Sequence, residues 1–230
     1  MCINKELGII IVAGGTSARF KGKNKLLEYL LEYPVFIYSL LSFRNTCPDN
    51  QIVLVCHSDL IEEFKRLANK FIPNNRFVYT TGGTERYNSV IKGLNTLPKN
   101  IKYVAIHDAA RPLANKKLLY ECLDSCMCRG NGVAAKKIND TVKRTANDEK
   151  VIESVDRTNL WAVETPQVFK IDELKSAYKE LLQSNAFVTD DAGAMENAGF
   201  PVYLVESPNI NIKITHQSDI EYVKTLIQSQ

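Results

Sequence analysis

The chain has 230 residues, 45% hydrophobic and 24% charged, with a formal net charge of +3. That length holds one large α/β domain or two small ones, and it buries enough surface to need no disulfide or structural metal. The composition excludes a disordered or collagen-like chain, the small net charge argues against a nucleic-acid partner, and no apolar stretch is long enough for a membrane span. Six scattered cysteines without an export signal read as reduced thiols in the cytoplasm.

Short apolar, β-branched runs alternate with helical segments through the first half. Gly8–Val12, Gln51–Cys56, Arg76–Thr80 and Lys102–His107 read as buried strands. Helices are expected over Pro34–Arg44, with the proline in the first turn, over Asp59–Phe71 after Ser58, and over Thr84–Leu97. This alternation predicts an α/β fold with a mostly parallel sheet and helices on both faces. Cys122, Cys126 and Cys128 fit no zinc spacing and read as small residues on a further helix.

Gly132–Lys137 reads as another strand. Thr141–Thr145 and Lys150–Val155 then alternate polar and apolar residues around Ala146–Glu149, the pattern of a hairpin. A two-stranded hairpin is marginal alone in water, and this one is too polar to make its own core. It is expected to be an arm, about residues 139–154, reaching a second subunit from a single 1–230 domain. The chain returns to helix at Asp172–Gln183, to strand at Pro201–Glu206, and to a final helix whose capping box is expected at Ser218 and Glu221.

Ligands collect at the carboxyl ends of strands in such sheets. The first strand ends in Ala13-Gly14-Gly15-Thr16-Ser17-Ala18-Arg19, followed by Lys21, Lys23 and Lys25. Glycines with free N–H groups and four clustered cations suit a triphosphate; a solvated basic loop is the plainer alternative. The spacing is neither that of a dinucleotide fold nor that of a P-loop. His107-Asp108-Ala109-Ala110-Arg111-Pro112 places a carboxylate past a buried strand, where it can hold Mg²⁺ or cap a turn. Arg111 offers a fork to a phosphate. His107 reads as a strand residue with a satisfied imidazole. Gly82 and Gly83 stand at another strand end, where backbone groups could meet a nucleobase edge or where Thr84 could cap a helix.

Taken together, Gly82-Gly83-x-x-Arg86-x-x-Ser89-Val90, His107–Pro112, Asn139–Arg144, Val155-Asp156-Arg157 with Leu160-Trp161, Thr165-Pro166-Gln167, Thr189-Asp190-Asp191 and Asn211–Thr215 come in one order. The series resembles the 2-C-methyl-D-erythritol 4-phosphate cytidylyltransferases of non-mevalonate isoprenoid synthesis. The resemblance implies a Rossmann-like nucleotidyltransferase fold, CTP and Mg²⁺, and a homodimer with embracing arms. It places Arg19 and Lys25 on the triphosphate, and Ala13, Gly14, Gly82, Gly83 and Ser89 around the cytidine. Asp108 falls on the metal ligand, and Arg111, Thr141, Arg157 and Lys213 fall around the sugar phosphate and the reacting phosphorus. Arg19, Lys25, Arg157 and Lys213 are thereby the expected catalytic set. The first loop departs from the family pattern near Ser17 and at Leu26, and Lys23 is the rival for the position given to Lys25.

Three other functions compete. A ribitol 5-phosphate cytidylyltransferase shares fold, CTP and metal; Ala109-Ala110 and Val155-Asp156-Arg157 favour the methylerythritol enzyme. A nicotinamide-dependent reductase has Asp59 near the second strand but the wrong first loop. A catalytically silent sugar-nucleotide sensor would have no need of Asp108, Arg157 and Lys213.

Overall fold

The computed structural model describes residues 3–15, 20, 24–184, 186–208 and 210–229. In chain order its strands and helices are β1 (Leu7–Ala13), β2 (Tyr29–Leu30), β3 (Tyr33–Pro34), α1 (Val35–Phe43), β4 (Ile52–Cys56), α2 (Ile61–Phe71), β5 (Val78–Thr81), α3 (Arg86–Thr96), β6 (Tyr103–Asp108) and α4 (Lys116–Arg129). They continue with β7 (Asn131–Lys137), β8 (Val142–Thr145), β9 (Val151–Val155), β10 (Trp161–Lys170), α5 (Ile171–Ser184), α6 (Asp191–Asn197), β11 (Leu204–Glu206) and α7 (Gln217–Gln228).

Seven strands form one sheet in the order β11-β7-β10-β6-β1-β4-β5. All neighbours run parallel except β10, which is antiparallel to both β6 and β7. The apolar runs of β1, β4 and β6 are buried on both faces, as strands covered on two sides must be. Ile9 and Ile11 pack with Phe36, Phe64, Leu119 and Val223, from α1, α2, α4 and α7. Ile10 packs on the opposite face with Val90, Leu174 and Met195, from α3, α5 and α6. The alternating side-chain direction of a strand thus feeds two separate cores. Gly132 lies where β7 meets α4: a Cβ there would stand 2.2 Å from the Cys122 carbonyl oxygen. On α4, Cys122 and Cys126 are buried, whereas Cys128 is exposed.

Two helix starts differ from expectation. α7 is capped by His216 and Asp219, not by Ser218 and Glu221: Asp219 accepts from the backbone N–H groups of Thr215 and His216. Segment 211–216 sets that helix entry two residues early. α3 begins at Arg86 without a side-chain cap, so Thr84 does not cap it. Ser58 opens a short 3₁₀ turn, Ser58–Leu60, ahead of α2. β10 and α6 were not foreseen as elements. Trp161–Lys170 carries a mid-strand proline, and α6 has seven residues.

β8 and β9 pair only with each other, and most of their residues are exposed. Val151 and Ile152 are 54% and 62% exposed there.

Candidate active site

β1 connects onward to β4 on one side, while its other neighbour is β6, so the sheet reverses direction of winding beside β1. Ligand crevices form outside the carboxyl ends of strands at such a point. A cavity of about 300 Å³ lies there, lined by Gly14, Gly15, Lys25, Gly83, Ser89, Asp108 and Lys213 among others. A second, of about 220 Å³, shares Arg86, Asp108 and Lys213 with it and adds Arg111, Glu164, Thr165, Thr189 and Asp190. A larger cavity of about 680 Å³ between Tyr38, Leu113, Ile210 and Leu226 has no charged residue in its lining. Of these three, the first two carry the charged side chains.

Asp108 is the hub. Its Oδ2 accepts from Lys213 Nζ at 2.6 Å, Arg111 Nε stands 3.9 Å from the same oxygen, and Arg86 Nη2 is 3.5 Å from Oδ1. Burial alone would raise this carboxyl, but Arg86, Lys213 and Arg111 outweigh it and hold it well below the usual carboxylate range. Asp108 is therefore ionised at any physiological pH. Its backbone N–H donates to Thr165 Oγ1 at 3.0 Å, which fixes the strand end against β10. His107, behind it, is buried with Nδ1 at 3.1 Å from Thr165 Oγ1 and Nε2 at 3.2 Å from the Arg111 carbonyl. Burial lowers its pKa to about 3, with Arg111 and Lys213 adding to the effect. That imidazole is neutral and occupied on both nitrogens, so it is not a catalytic base.

Arg86 belongs to the Gly82–Val90 series, but the sequence gives it no role. Its Nη1 lies 2.7 Å from Asp191 Oδ2 in an ion pair that is not an aligned hydrogen bond. Tyr178 Oη donates to Asp191 Oδ1. Burial pushes the fully buried Asp191 carboxyl up, with Arg86 and Tyr178 acting against it. The other signal visible only in three dimensions is the irregular register of β10 between Val163 and Gln167. Such a bulge re-aims side chains, and this one turns Glu164 and Thr165 into the site.

The glycine pair after β5 is shaped by Ser89, whose Oγ accepts from Gly83 N–H at 3.0 Å. A Cβ on Gly83 would come within 2.4 Å of Asn88 Cβ, so that turn admits no side chain. Gly82 is tied to the sheet through its N–H to the Cys56 carbonyl at 2.8 Å. Ala13 is buried at the end of β1, directly before Gly14.

The chain matches the family described as IspD, 2-C-methyl-D-erythritol 4-phosphate cytidylyltransferase, over residues 7–229. It is 35% identical over 227 residues to the enzyme of that name from Bacillus velezensis, covering 98% of this chain and 97% of the relative. It is 37% identical to the one from Endomicrobium trichonymphae, covering 96% and 98%. The solved 4-diphosphocytidyl-2C-methyl-D-erythritol synthase from Anaerococcus prevotii superposes with a TM-score of 0.82 at 27% identity, covering 97% and 96%. The chain belongs to the 2-C-methyl-D-erythritol 4-phosphate cytidylyltransferase family.

Of the residues expected from that family's motifs, Gly14, Gly83, Ser89, Lys25, Asp108 and Lys213 line one cavity, and Arg111 lines the adjoining one. Lys25 Nζ donates to the Ile214 carbonyl at 2.7 Å, beside Lys213, which brings the first and last motifs together. Arg19, Ser17 and the rival Lys23 lie outside the described residues. Thr141 and Arg157 are exposed at the two ends of the hairpin and line neither cavity. Within one chain the arm does not bring them to Asp108.

A divalent cation can be weighed against the donors present. Among the described residues no three His, Cys, Asp or Glu side chains converge. Asp108 is the carboxylate common to both cavities. Mg²⁺ bound to enzyme and nucleotide takes one or two carboxylates, phosphate oxygens and waters, not an all-protein cage. Asp108 fits that mode: Oδ2 is engaged by Lys213, and Oδ1 has its nearest cation at 3.5 Å. Among the described residues no helix is long and apolar enough to cross a membrane.

Proposed function

We propose that this chain transfers the cytidylyl group of CTP to 2-C-methyl-D-erythritol 4-phosphate and releases pyrophosphate. The observation that carries the reading is the meeting of Lys25, Lys213, Arg86 and Arg111 around Asp108 at the switch point, beside two glycine turns with no side chain in the way. The family match and its relatives support methylerythritol phosphate over ribitol phosphate.

An oxygen of the acceptor's phosphate attacks the α-phosphorus. A P–O bond forms there as the bond to the β-phosphate bridge breaks, and the leaving electron pair stays on pyrophosphate. A phosphate monoester has a second pKa of about 6, so its dianion is the main species at neutral pH and needs no protein base. Among the described residues, the imidazole beside the site, His107, is neutral and fully engaged and does not serve as one. Catalysis here is positioning and countercharge.

Lys213 and Lys25 face the α-phosphate, with Arg19 joining them on the triphosphate. Gly14 and Gly15 give its oxygens backbone N–H groups. Gly82, Gly83 and Ser89 surround the cytosine, with Ala13 beneath. Asp108, with the triphosphate oxygens, would hold Mg²⁺; the ion supplies charge neutralisation on those oxygens. Arg111 faces the acceptor. The remaining pair, Thr141 and Arg157, is supplied across a homodimer. The exposed Val151 and Ile152 call for such a cover, and C₂ pairing is the commonest way to give it. A cytoplasmic enzyme of one domain with a swapped-in arm accounts for the free thiols and the unsupported hairpin together.

Pyrophosphate release tests this directly. We expect turnover with CTP and methylerythritol phosphate, with ATP, GTP and UTP poor substitutes, because a pocket that hydrogen-bonds a base edge rejects analogues lacking it. Equal turnover with ribitol 5-phosphate would contradict the acceptor, and equal use of UTP would contradict the base pocket.

A further inference from the structure

Lys213 is a long side chain, 45% exposed, whose ion-pair partner among the described residues is Asp108. Its placement depends on where the backbone of segment 211–214 is held. That segment is fastened at Asn211, a residue 4% exposed to solvent that touches none of the groups given a chemical role except through its carbonyl. Asn211 Nδ2 donates to Glu164 Oε2 at 2.9 Å and to the Thr165 carbonyl at 2.9 Å. Its own carbonyl accepts from Arg111 Nη1 at 2.8 Å. Three residues on, the Ile214 N–H donates to the Ala110 carbonyl at 2.8 Å.

Glu164 completes the node. Its carboxylate is 11% exposed, with Oε1 at 4.0 Å from Arg111 Nη1 and Oε2 taken by Asn211. It comes from the bulge of β10, whose next residue, Thr165, holds the Asp108 backbone. One irregular strand segment therefore sets three functional groups at once: Asp108 through Thr165, Arg111 through Glu164 and the Asn211 carbonyl, and Lys213 through the Asn211 amide.

We infer that Asn211 and Glu164 are positioning residues that latch the Lys213 segment and Arg111 onto the β10 bulge. The inference rests on the cytidylyl-transfer reading above for its kinetic consequence. A hydrogen-bonded latch, not a countercharge, is what the geometry specifies, because the short contacts of Glu164 run to an amide and its distance to Arg111 is at the ion-pair limit. Displacing a reacting group by about 1 Å can cost on the order of a hundredfold in rate without altering binding of the rest of the substrate.

The test uses Asn211→Ala, Glu164→Leu and Glu164→Gln in the full chain, each read by steady-state kinetics, melting temperature and hydrogen exchange at Ile214 N–H. Asn211→Ala and Glu164→Leu are expected to lower kcat by about tenfold to a hundredfold with the CTP KM within about threefold. Both should speed Ile214 exchange. Glu164→Gln keeps an acceptor for Asn211 and is expected to stay within about threefold of the wild-type kcat, since an amide oxygen accepts as a carboxylate does. Wild-type kcat and unaltered Ile214 exchange in Asn211→Ala would overturn the latch. So would a Glu164→Gln enzyme as impaired as Glu164→Leu, which would make charge the operative property. Absence of cytidylyl transfer by the wild type would strike at the reaction itself, while Ile214 exchange would still decide the latch.

Discussion

Two groups of charges in this molecule look alike in sequence and behave differently in the fold. The Asp108 cluster and the arm each pair carboxylates with Lys and Arg at similar distances: 2.6 Å for Lys213–Asp108 and 2.6 Å for Arg144–Glu153. Asp108 has a side chain 12% exposed and three cations about it, and its ionisation is strongly displaced. Arg144 and Glu153 are 63% and 53% exposed. Water and salt screen both partners of the arm pair, whereas in the cluster the carboxylate is buried even though Lys213 is 45% exposed. Distance alone does not make the two pairs alike; burial of the shared carboxylate separates them.

The largest expected effect comes from removing the hub's charge. Asp108→Asn should lower turnover by about 10²–10³-fold, since a neutral amide is a poor Mg²⁺ ligand and leaves Lys213, Arg86 and Arg111 to repel one another. Circular dichroism should show the fold retained. Ordinary turnover in that variant would remove the reason for treating the cluster as a site.

A second effect is on stability against pH. His107 has a folded pKa of about 3 against an ordinary value of 6.5, so below pH 6.5 the unfolded chain binds a proton that the folded chain refuses. Its contribution is complete above pH 6.5 and is lost as pH falls toward 3, at up to about 1.4 kcal/mol per pH unit. Asp108, whose folded pKa is depressed, adds loss only below the ordinary carboxylate range near pH 4. Urea unfolding between pH 7 and 4.5 therefore carries the His107 loss, opposed by Asp191, whose carboxyl burial pushes up and which gains stability as pH falls; His107→Gln should remove the loss and leave the Asp191 contribution. An equally steep slope in the variant would assign it elsewhere.

Smaller changes belong to the arm. Deleting Thr145–Lys150 should loosen self-association and raise the KM for the sugar phosphate by about tenfold while leaving the CTP KM nearly unchanged, a loss the size of one charged contact. Sedimentation and kinetics on the same preparation would measure both; a fully active monomer would end the shared-pocket reading. Smallest of all, Arg144→Ala should change stability by less than about 0.5 kcal/mol, the value of an exposed pair. A larger loss would mean that the pair is covered in solution.

The two regions also differ in how much of them could be read from the chain. β1, β4 and β6 carry short apolar, β-branched runs, so their existence and burial follow from the local pattern; their order in the sheet does not. The hairpin followed from alternation, and its exposure from polarity. β10 was not legible: Glu164, Pro166 and Gln167 break an apolar pattern because they sit in a bulge that faces a polar site. Asp108 was expected from its place after a buried strand. The grip of Arg86 between Asp108 and Asp191 was not, since 105 residues separate Arg86 from its second partner on α6, and α6 is held near α3 by α5, which packs against both. Local pattern specifies strands and turns; a cluster assembled from residues far apart in the chain has no local pattern.

The central claim is that the site works by holding cations around the reacting phosphorus, without a protein base. Single-turnover cytidylyl transfer by Lys213→Ala, with CTP binding measured on the same sample, tests it most directly. The account predicts a rate about 10²-fold or more below wild type, with CTP affinity changed by only a few fold, as expected for a charge that acts on the transition state. A wild-type transfer rate in that variant would contradict it.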